Sequence, residues 1–294
     1  KAGITLPIMV MSPEPSAFEA IVKYKLEPEI YNIEILREFV KFLAGRQHYP
    51  VHLKIDTGMH RLGFEAHEAD ILSATLAHQD RVKVISAFSH FVGSDDPEQD
   101  DFTRVQLNSF LHITDQLKTQ LGYSFIRHIA NTAAITRFPE AQLEMVRIGI
   151  GLYGFDSGLH QNKGLQAVST LKTTVTQVKH LKPHETVGYG RGGKMPEGGS
   201  IATVKIGYAD GYRRIFGHGV GKMMIRGKLI PTIGSICMDM CMLDVSGFDV
   251  QVGDEVIIFN EQLTIATLAK QIDTIPYEIL TNISQRVKRI YFYE

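Results

Sequence analysis

Residues 51–64 read VHLKIDTGMHRLGF, and the change of texture inside that stretch decides how the first half of the chain folds. Val51 to Asp56 is a short apolar run of strand length, and Thr57-Gly58 ends it in a turn. Other runs end in a similar way. Val82 to Ser89 passes into His90-Phe91, Phe125 to Ala130 into Asn131-Thr132, and Glu144 to Gly149 carries Arg147 and closes on Gly149-Ile150-Gly151. With Pro7 to Met11 and Pro28 to Tyr31 this makes six strand-like runs. Helical patterns lie between them at Pro15 to Lys25, Ile33 to Ala44, Glu65 to Ala77, Asp101 to Leu121 and Thr132 to Arg137. The alternation predicts parallel βα units. An open doubly wound sheet and a (β/α)8 barrel both satisfy that rhythm. Polar or glycine-rich chemistry at the C-terminal ends of several different strands favours the barrel.

After Tyr153 the pattern changes. SGLHQNKG (residues 157–164) is a polar, glycine-rich linker, and the chain beyond it is mostly strand pattern with turns, so domains are expected at 1–155 and 156–294. Strands are expected at Val168 to Leu181, Ser200 to Ile206, Lys222 to Ile225, Ser235 to Val245 and Glu255 to Asn260. A short helix at Thr264 to Ile272 and a closing strand at Arg289 to Tyr293 complete the second domain. The period of two along CMDMCMLDV puts Cys237, Asp239 and Cys241 on one strand face.

The 294 residues are 44% hydrophobic, which supplies ordinary globular cores, and 31 Lys+Arg against 32 Asp+Glu leave no field to hold nucleic acid or an anionic membrane. Two cysteines exclude a disulfide framework and fit a reducing compartment. No apolar run approaches the roughly 18 residues of a membrane span, and KAGITLPIMV has no signal-peptide pattern, so a cytoplasmic protein is expected.

GIGLYG (149–154) and GYGRGG (188–193) both match G-x-G-x-x-G, but neither third glycine opens a helix, as a dinucleotide site requires. Gly149 and Ile150 read better as backbone donors to a single phosphate, beside the plainer reading of a glycine-rich turn. His90, His128 and Asp56 lie at or near strand ends, yet no His-x-His or His-x-x-Glu spacing accompanies them, and the C-x-x-x-C of Cys237 and Cys241 lacks a second pair. No metal is expected. Lys54, Arg61 and Arg147 are cations in segments built for burial, so each needs an internal carboxylate or an anionic ligand. Tyr189, Tyr208 and Tyr277 sit in VGYGRGG, KIGYADGYRR and TIPYEI, contexts unlike core aromatics. A phenol flanked by two glycines, as at Tyr189, buries little, and its hydroxyl becomes a proton shuttle only beside positive charge.

KIDTGMHRLGF, SHFVGSDD, HIANTAA, VRIGIGLYG, VGYGRGG, IGYADGYRR, ICMDMCMLDV and IPYEI, in this order, resemble the alanine racemases, fold-type III pyridoxal phosphate enzymes. The resemblance covers essentially the whole chain. It implies an N-terminal (β/α)8 barrel, a mainly β C-terminal domain, and interconversion of L- and D-alanine for peptidoglycan precursors. By motif, Tyr189 resembles the catalytic tyrosine that a partner subunit supplies in a head-to-tail homodimer. Arg147 resembles the arginine facing the pyridine nitrogen, and His90 the histidine against the ring, with Asn131 in the same pocket. Thr132, the backbone of Gly149 and Ile150, and Tyr277 resemble phosphate ligands. Arg61 and the Met238 backbone resemble the holders of the substrate carboxylate, with Cys237 and Asp239 beside them. Lys54 matches a lysine that is carbamylated in some members, and Tyr208 and Arg214 resemble residues of the access corridor.

One departure stands out. The family attaches its cofactor through a lysine in a segment like Val-Lys-Ala-Asn-Ala-Tyr-Gly-His-Gly, and these residues contain no such segment. Six βα units where eight are expected imply that the first two are absent, so residues 1–294 alone are expected to be inactive. Fusion behind a cell-wall ligase would also fit such a start. The rival readings are a broad-specificity amino-acid racemase and a non-catalytic pyridoxal phosphate homeostasis protein. The homeostasis proteins lack the β domain that carries Tyr189 and Tyr277.

Overall fold

The computed structural model describes residues 3–156 and 164–292, which divide into two compact units, Lys1–Leu165 and Gln166–Glu294. Residues 157–163 of the expected linker lie outside the described residues.

In the first unit five strands, β1 (Met9–Val10), β2 (Glu27–Ile30), β3 (Tyr49–Lys54), β4 (Val82–Phe88) and β5 (Ile126–His128), pair in parallel in the order in which they occur. The crossovers carry α1 (Phe18–Lys23), α2 (Ile33–Phe42), α3 (Ala69–Ala77) and α4 (Asp100–Leu121), and α5 (Thr132–Arg137) follows β5. Sequential order without a reversal is barrel-type winding; a doubly wound sheet would switch direction.

The helices form where capping and an apolar stripe coincide. Asn32 accepts the Ile35 N–H at 2.8 Å to start α2, whose Ile33, Ile35, Leu36 and Phe39 are buried. α4 ends at Gly122 in the left-handed conformation, φ 76°, and buries Leu107, Phe110, Ile113 and Leu117. Each such side chain contributes about 1.5–3 kcal/mol. Register then levels the strand ends, because Lys54 pairs with Phe88 and Phe88 with His128.

The expected strand Glu144 to Gly149 is not a strand. The Glu144 carboxylate takes the backbone N–H of Arg127 at 2.9 Å and also binds the Arg127 guanidinium, so a side chain stands where a neighbouring strand's carbonyl would be. Arg147 N–H still reaches the Ala130 carbonyl at 3.0 Å.

The second unit is a closed six-stranded barrel of β6 (Leu171–Leu181), β9 (Gly199–Val204), β10 (Lys222–Ile225), β11 (Lys228–Ile233), β12 (Cys241–Asp244) and β13 (Glu255–Phe259). A hairpin of β7 (Glu185–Val187) and β8 (Gly193–Met195) forms a separate two-stranded sheet whose Val187 and Met195 pack against Ile201 and Ile233 of the barrel, and α6 (Ile265–Gln271) and α7 (Pro276–Thr281) follow the barrel. The expected strand Ser235 to Val245 is reduced to Cys241–Asp244. Residues 237–240 form a turn closed by Cys237 N–H on the Met240 carbonyl at 2.9 Å, which overturns the shared strand face of Cys237, Asp239 and Cys241. Residues 289–292 are not a strand either, since the Arg289 guanidinium folds back onto the carbonyls of Ile283, Ser284 and Val287; Tyr293 lies outside the described residues.

Candidate active site

Lys54, Thr57 and Arg61 come from the end of β3 and the turn after it. Asp56 Oδ1 accepts the N–H groups of Gly58, Met59 and His60 at 2.8, 3.0 and 3.1 Å, which folds the turn tightly and leaves Arg61 exposed. Gly63 closes it at φ 129°, where a Cβ would lie 2.6 Å from the Asp56 nitrogen. His90 follows β4, and Asn131, Thr132 and Arg147 follow β5.

Arg147 is the most constrained of these groups. Nη1 donates to His128 Nδ1 at 2.6 Å and to the His128 carbonyl at 2.9 Å, and Nη2 donates to the Ser89 carbonyl at 2.5 Å. His90 Nδ1 lies 3.5 Å from Nη2. The guanidinium and the Lys54 ammonium both lie over the Phe88 ring, 5.2 and 4.6 Å from its centroid.

Burial and like charge act together here. Lys54 is 5% exposed; burial, then the Arg147 charge, push its pKa down to about 8. The same two causes, in that order, push His90 down to about 4 and His128 to about 3, so both imidazoles are neutral. Burial lowers Arg147 to about 10, which leaves it charged at neutral pH. The buried Glu29 carboxylate supports the charge of both Lys54 and Arg147. Lys54, the half-buried Arg147 and the exposed Arg61 outnumber the two carboxylates that support them, Glu29 and Asp56, so the cluster suits an anionic ligand, and neutral His90 beside it can lie against an aromatic ring. A pyridoxal phosphate fits this donor set.

Thr132 begins α5, and its Oγ1 accepts the N–H groups of Gly149 and Gly151 at 3.0 and 3.2 Å. Asn131 Oδ1 caps the same helix through Ala134 N–H at 3.0 Å and accepts the Ser94 hydroxyl at 2.8 Å. Ile150, 2% exposed, opens the short 3-10 turn Ile150–Tyr153. Thr132, Gly149 and Ile150 are thus brought together, and no α-helix opens at Gly154.

In the second unit Tyr189 stands on the loop between β7 and β8, 74% exposed, between Gly188 at φ 77° and Gly190 at φ 64°. The loop borders a cavity of about 610 Å³ that Thr203, Cys237, Met238, Asp239 and Met242 also line. Tyr208 and Ala209 donate their N–H groups to the Cys237 and Met238 carbonyls at 3.1 and 3.0 Å, which fixes the 237–240 turn. Arg286 bridges Asp210 at 2.8 Å and Asp239 at 2.6 Å. Arg214 opens the short 3-10 turn Arg214–Phe216. Tyr277 lies in the first turn of α7, after Pro276, and the neighbouring Glu278 pairs with Arg213 at 2.7 Å. Among the described residues no cluster of three or more His, Cys, Asp or Glu could hold a metal ion, and no helix is long and apolar enough to cross a membrane.

Sequence reasoning missed Gln106. Fully buried on α4, it donates to Thr57 Oγ1 and to the His90 carbonyl, both at 3.2 Å, and accepts Val92 N–H at 3.0 Å. It ties the turn after β3 to the loop that carries His90. A polar residue within the apolar stripe Leu107, Phe110, Ile113 was the available signal. Arg286, Ser86 and His52 were also missed.

Comparison with known proteins follows the same division into two units. The alanine racemase N-terminal domain model matches residues 1–157 and the C-terminal domain model residues 168–291. The alanine racemase of Clostridium tetani is 38% identical over 302 residues, which span 99% of this chain and 78% of that protein. Alanine racemase 1 of Clostridium acetobutylicum is 38% identical over 304 residues, with 99% and 78% covered. Among solved structures, the alanine racemase of Clostridium difficile 630 superposes with a TM-score of 0.90 at 34% identity, covering 99% of this chain and 77% of that one. That of Bartonella henselae, with covalently bound pyridoxal phosphate, gives 0.88 at 27% identity, with 98% and 79% covered. With a TIM-like barrel unit followed by a mainly β unit, this chain belongs to the alanine racemase family of pyridoxal phosphate-dependent isomerases.

Proposed function

We propose that the protein interconverts L- and D-alanine in the cytoplasm, supplying D-alanine for peptidoglycan, and works as a head-to-tail dimer. The observation that carries this reading is Arg147: a charged guanidinium held by three acceptors within 2.9 Å beside neutral His90. When bound, pyridoxal phosphate supplies an electron sink for the pair released at Cα. Arg147 would face the ring nitrogen with a group that keeps its proton, which would disfavour protonation of that nitrogen and favour return of the proton over side reactions. His90 would support the ring with Asn131 in the same pocket, and Thr132, Gly149, Ile150 and Tyr277 would hold the phosphate.

Arg61 and the Met238 backbone take the substrate carboxylate, with Cys237 and Asp239 beside them. Lys54, pushed toward its neutral form, is the amine in this cluster best suited to carbamylation, which would give Arg61 an anionic partner. Tyr208 and Arg214 line the access corridor. Tyr189 Oη takes and returns the Cα proton of one enantiomer, in the active site of a neighbouring chain. The glycines on either side let the phenol reach outward. A lysine that attaches the cofactor serves the other enantiomer; residues 1–294 contain no segment like that lysine's motif, so alone they should show neither lysine-bound cofactor absorbance nor turnover.

In the full-length protein, Tyr189→Phe should lower racemisation by 10²-fold or more, on the order of one lost acid–base group, with cofactor affinity unchanged. Exchange of the Cα hydrogen in deuterated water checks this from both enantiomers. Undiminished racemisation in both directions would sink the role. Turnover of serine and lysine beside alanine separates an alanine enzyme from a broader racemase.

A further inference from the structure

We infer that Glu27, His52 and Ser86 are positioning residues for the Arg147 guanidinium, acting through His128 along a hydrogen-bond relay whose direction is set from both ends. This deepens the reading above and rests on it for the role of Arg147. One member comes from each of four adjacent strands: Glu27 from β2, His52 from β3, Ser86 from β4 and His128 from β5. Glu27 Oε2 lies 2.9 Å from His52 Nε2, His52 Nδ1 lies 2.6 Å from Ser86 Oγ, and Ser86 Oγ lies 2.9 Å from His128 Nε2. His128 Nδ1 then meets Arg147 Nη1 at 2.6 Å. His52, Ser86 and His128 are 7, 1 and 0% exposed.

The proton positions follow from chemistry. An arginine only donates, so His128 Nδ1 accepts and its proton is on Nε2, where it donates to Ser86 Oγ. A carboxylate only accepts, so His52 carries its proton on Nε2 and its bare Nδ1 accepts the serine hydroxyl. Ser86 accepts once and donates once, and both ends require the same direction. With the opposite tautomer, His128 would set an N–H against the guanidinium. The Phe88 ring stacks on His128 at 5.0 Å with the planes 1° apart, so ring stacking and the relay together fix the imidazole.

The Arg147 side chain thereby gains a rigid neutral acceptor in addition to the carbonyls of His128, Ser89 and Ile129. Satisfying buried polar groups would by itself explain such a network, and a positioning role adds something that plain satisfaction does not: a slower guanidinium.

The test uses the 294-residue chain without cofactor, labelled with ¹⁵N in histidine and arginine. His52 and His128 should both appear as neutral Nε2–H tautomers, and Arg147 should show separate, slowly exchanging Nη signals. Ser86→Ala removes one buried atom and leaves every direct Arg147 contact in place. Exchange of the Arg147 Nη groups should become about tenfold faster, the factor expected when one hydrogen bond to a charged group is weakened. Glu27→Leu should act in the same direction, and Glu27→Gln, whose amide oxygen still accepts, should restore slow exchange.

A proton on His128 Nδ1 would overturn the inference. So would slow exchange that persists in both Ser86→Ala and Glu27→Leu while the melting temperature falls, since that is what a purely structural network gives. These signals need no turnover. A chain that shows the relay in a full-length protein that does not racemise alanine would remove the activity reading and support the relay.

Discussion

Lys54 and Tyr189 belong to the two units and are kept in opposite ways. Lys54 ends a strand at 5% exposure, crowded by Arg147 and supported by Glu29, whereas Tyr189 stands on a glycine-flanked loop at 74% exposure. The contrast extends to their neighbours. Around Lys54 the chemical groups restrain one another through side chains: Arg147 on His128, Gln106 on Thr57, Asn131 on Ser94. Around Tyr189 the Tyr208 and Ala209 N–H groups hold the 237–240 turn together with an exposed Arg286–Asp239 pair, while Met238 and Tyr208 are 54 and 42% exposed. A buried charge has to be compensated inside its own unit. An exposed phenol costs little to keep and acquires its chemistry from whatever it meets.

Acid should expose the difference most strongly. His90 and His128 have folded pKa values of about 4 and about 3, below the ordinary 6.5, so between those values and 6.5 the unfolded chain binds more protons than the folded one. Stability is therefore complete above pH 6.5 and is lost as pH falls, with a slope approaching about 2.7 kcal/mol per pH unit for two protons. Urea unfolding of the chain at stepped pH values measures it, and a flat profile down to pH 4.5 would contradict the buried, neutral assignment.

Lys54 makes the converse case at the alkaline side. Its folded pKa of about 8 lies below the ordinary 10.5, so its burial costs the fold on the order of 3 kcal/mol below pH 8, and that cost fades as pH rises toward 10.5. Lys54→Met should then be more stable than the parent at pH 7 and lose the advantage near pH 10.5, read from paired denaturation curves. Equal stability at pH 7 would mean that Glu29 and the Phe88 ring offset the burial.

Backbone confinement gives the smallest effects, and these also differ between the units. Gly63→Ala places a Cβ 2.6 Å from the Asp56 nitrogen at φ 129° and should cost about 2–3 kcal/mol. Gly190→Ala, at φ 64° with open space around it, should cost about 1 kcal/mol. Thermal unfolding of the two variants ranks them, and the reverse order would undo the contrast.

The β3 turn was legible because VHLKI gives a strand period and Asp56-Thr57-Gly58 carries its own turn chemistry. Lys54, Arg61 and Arg147 stood out as cations in apolar surroundings. The sixth run failed for a local reason: Glu144 looked like a strand residue, and only the fold shows its carboxylate occupying the Arg127 N–H. β11 went unseen because Pro231 interrupts its pattern, although that strand pairs on both sides with β10 and β12. The relay was illegible in principle. His52, Ser86 and His128 are 34 and 42 residues apart and meet only through the register of three parallel strands, which no local pattern encodes.

The Asp56 turn has a consequence for how molecules arrive. This carboxylate orders three amides of its own turn and also supports the charge of Lys54, but together with Glu29 it is still outnumbered by Lys54, Arg61 and Arg147. The mouth of the first unit thus keeps an attractive potential for anions even though the chain as a whole carries a formal charge of −1. Capture of a small dianion there should be fast in dilute buffer and slow markedly once added salt brings the screening length to about 8 Å, while a neutral molecule of the same shape would arrive at a rate indifferent to salt.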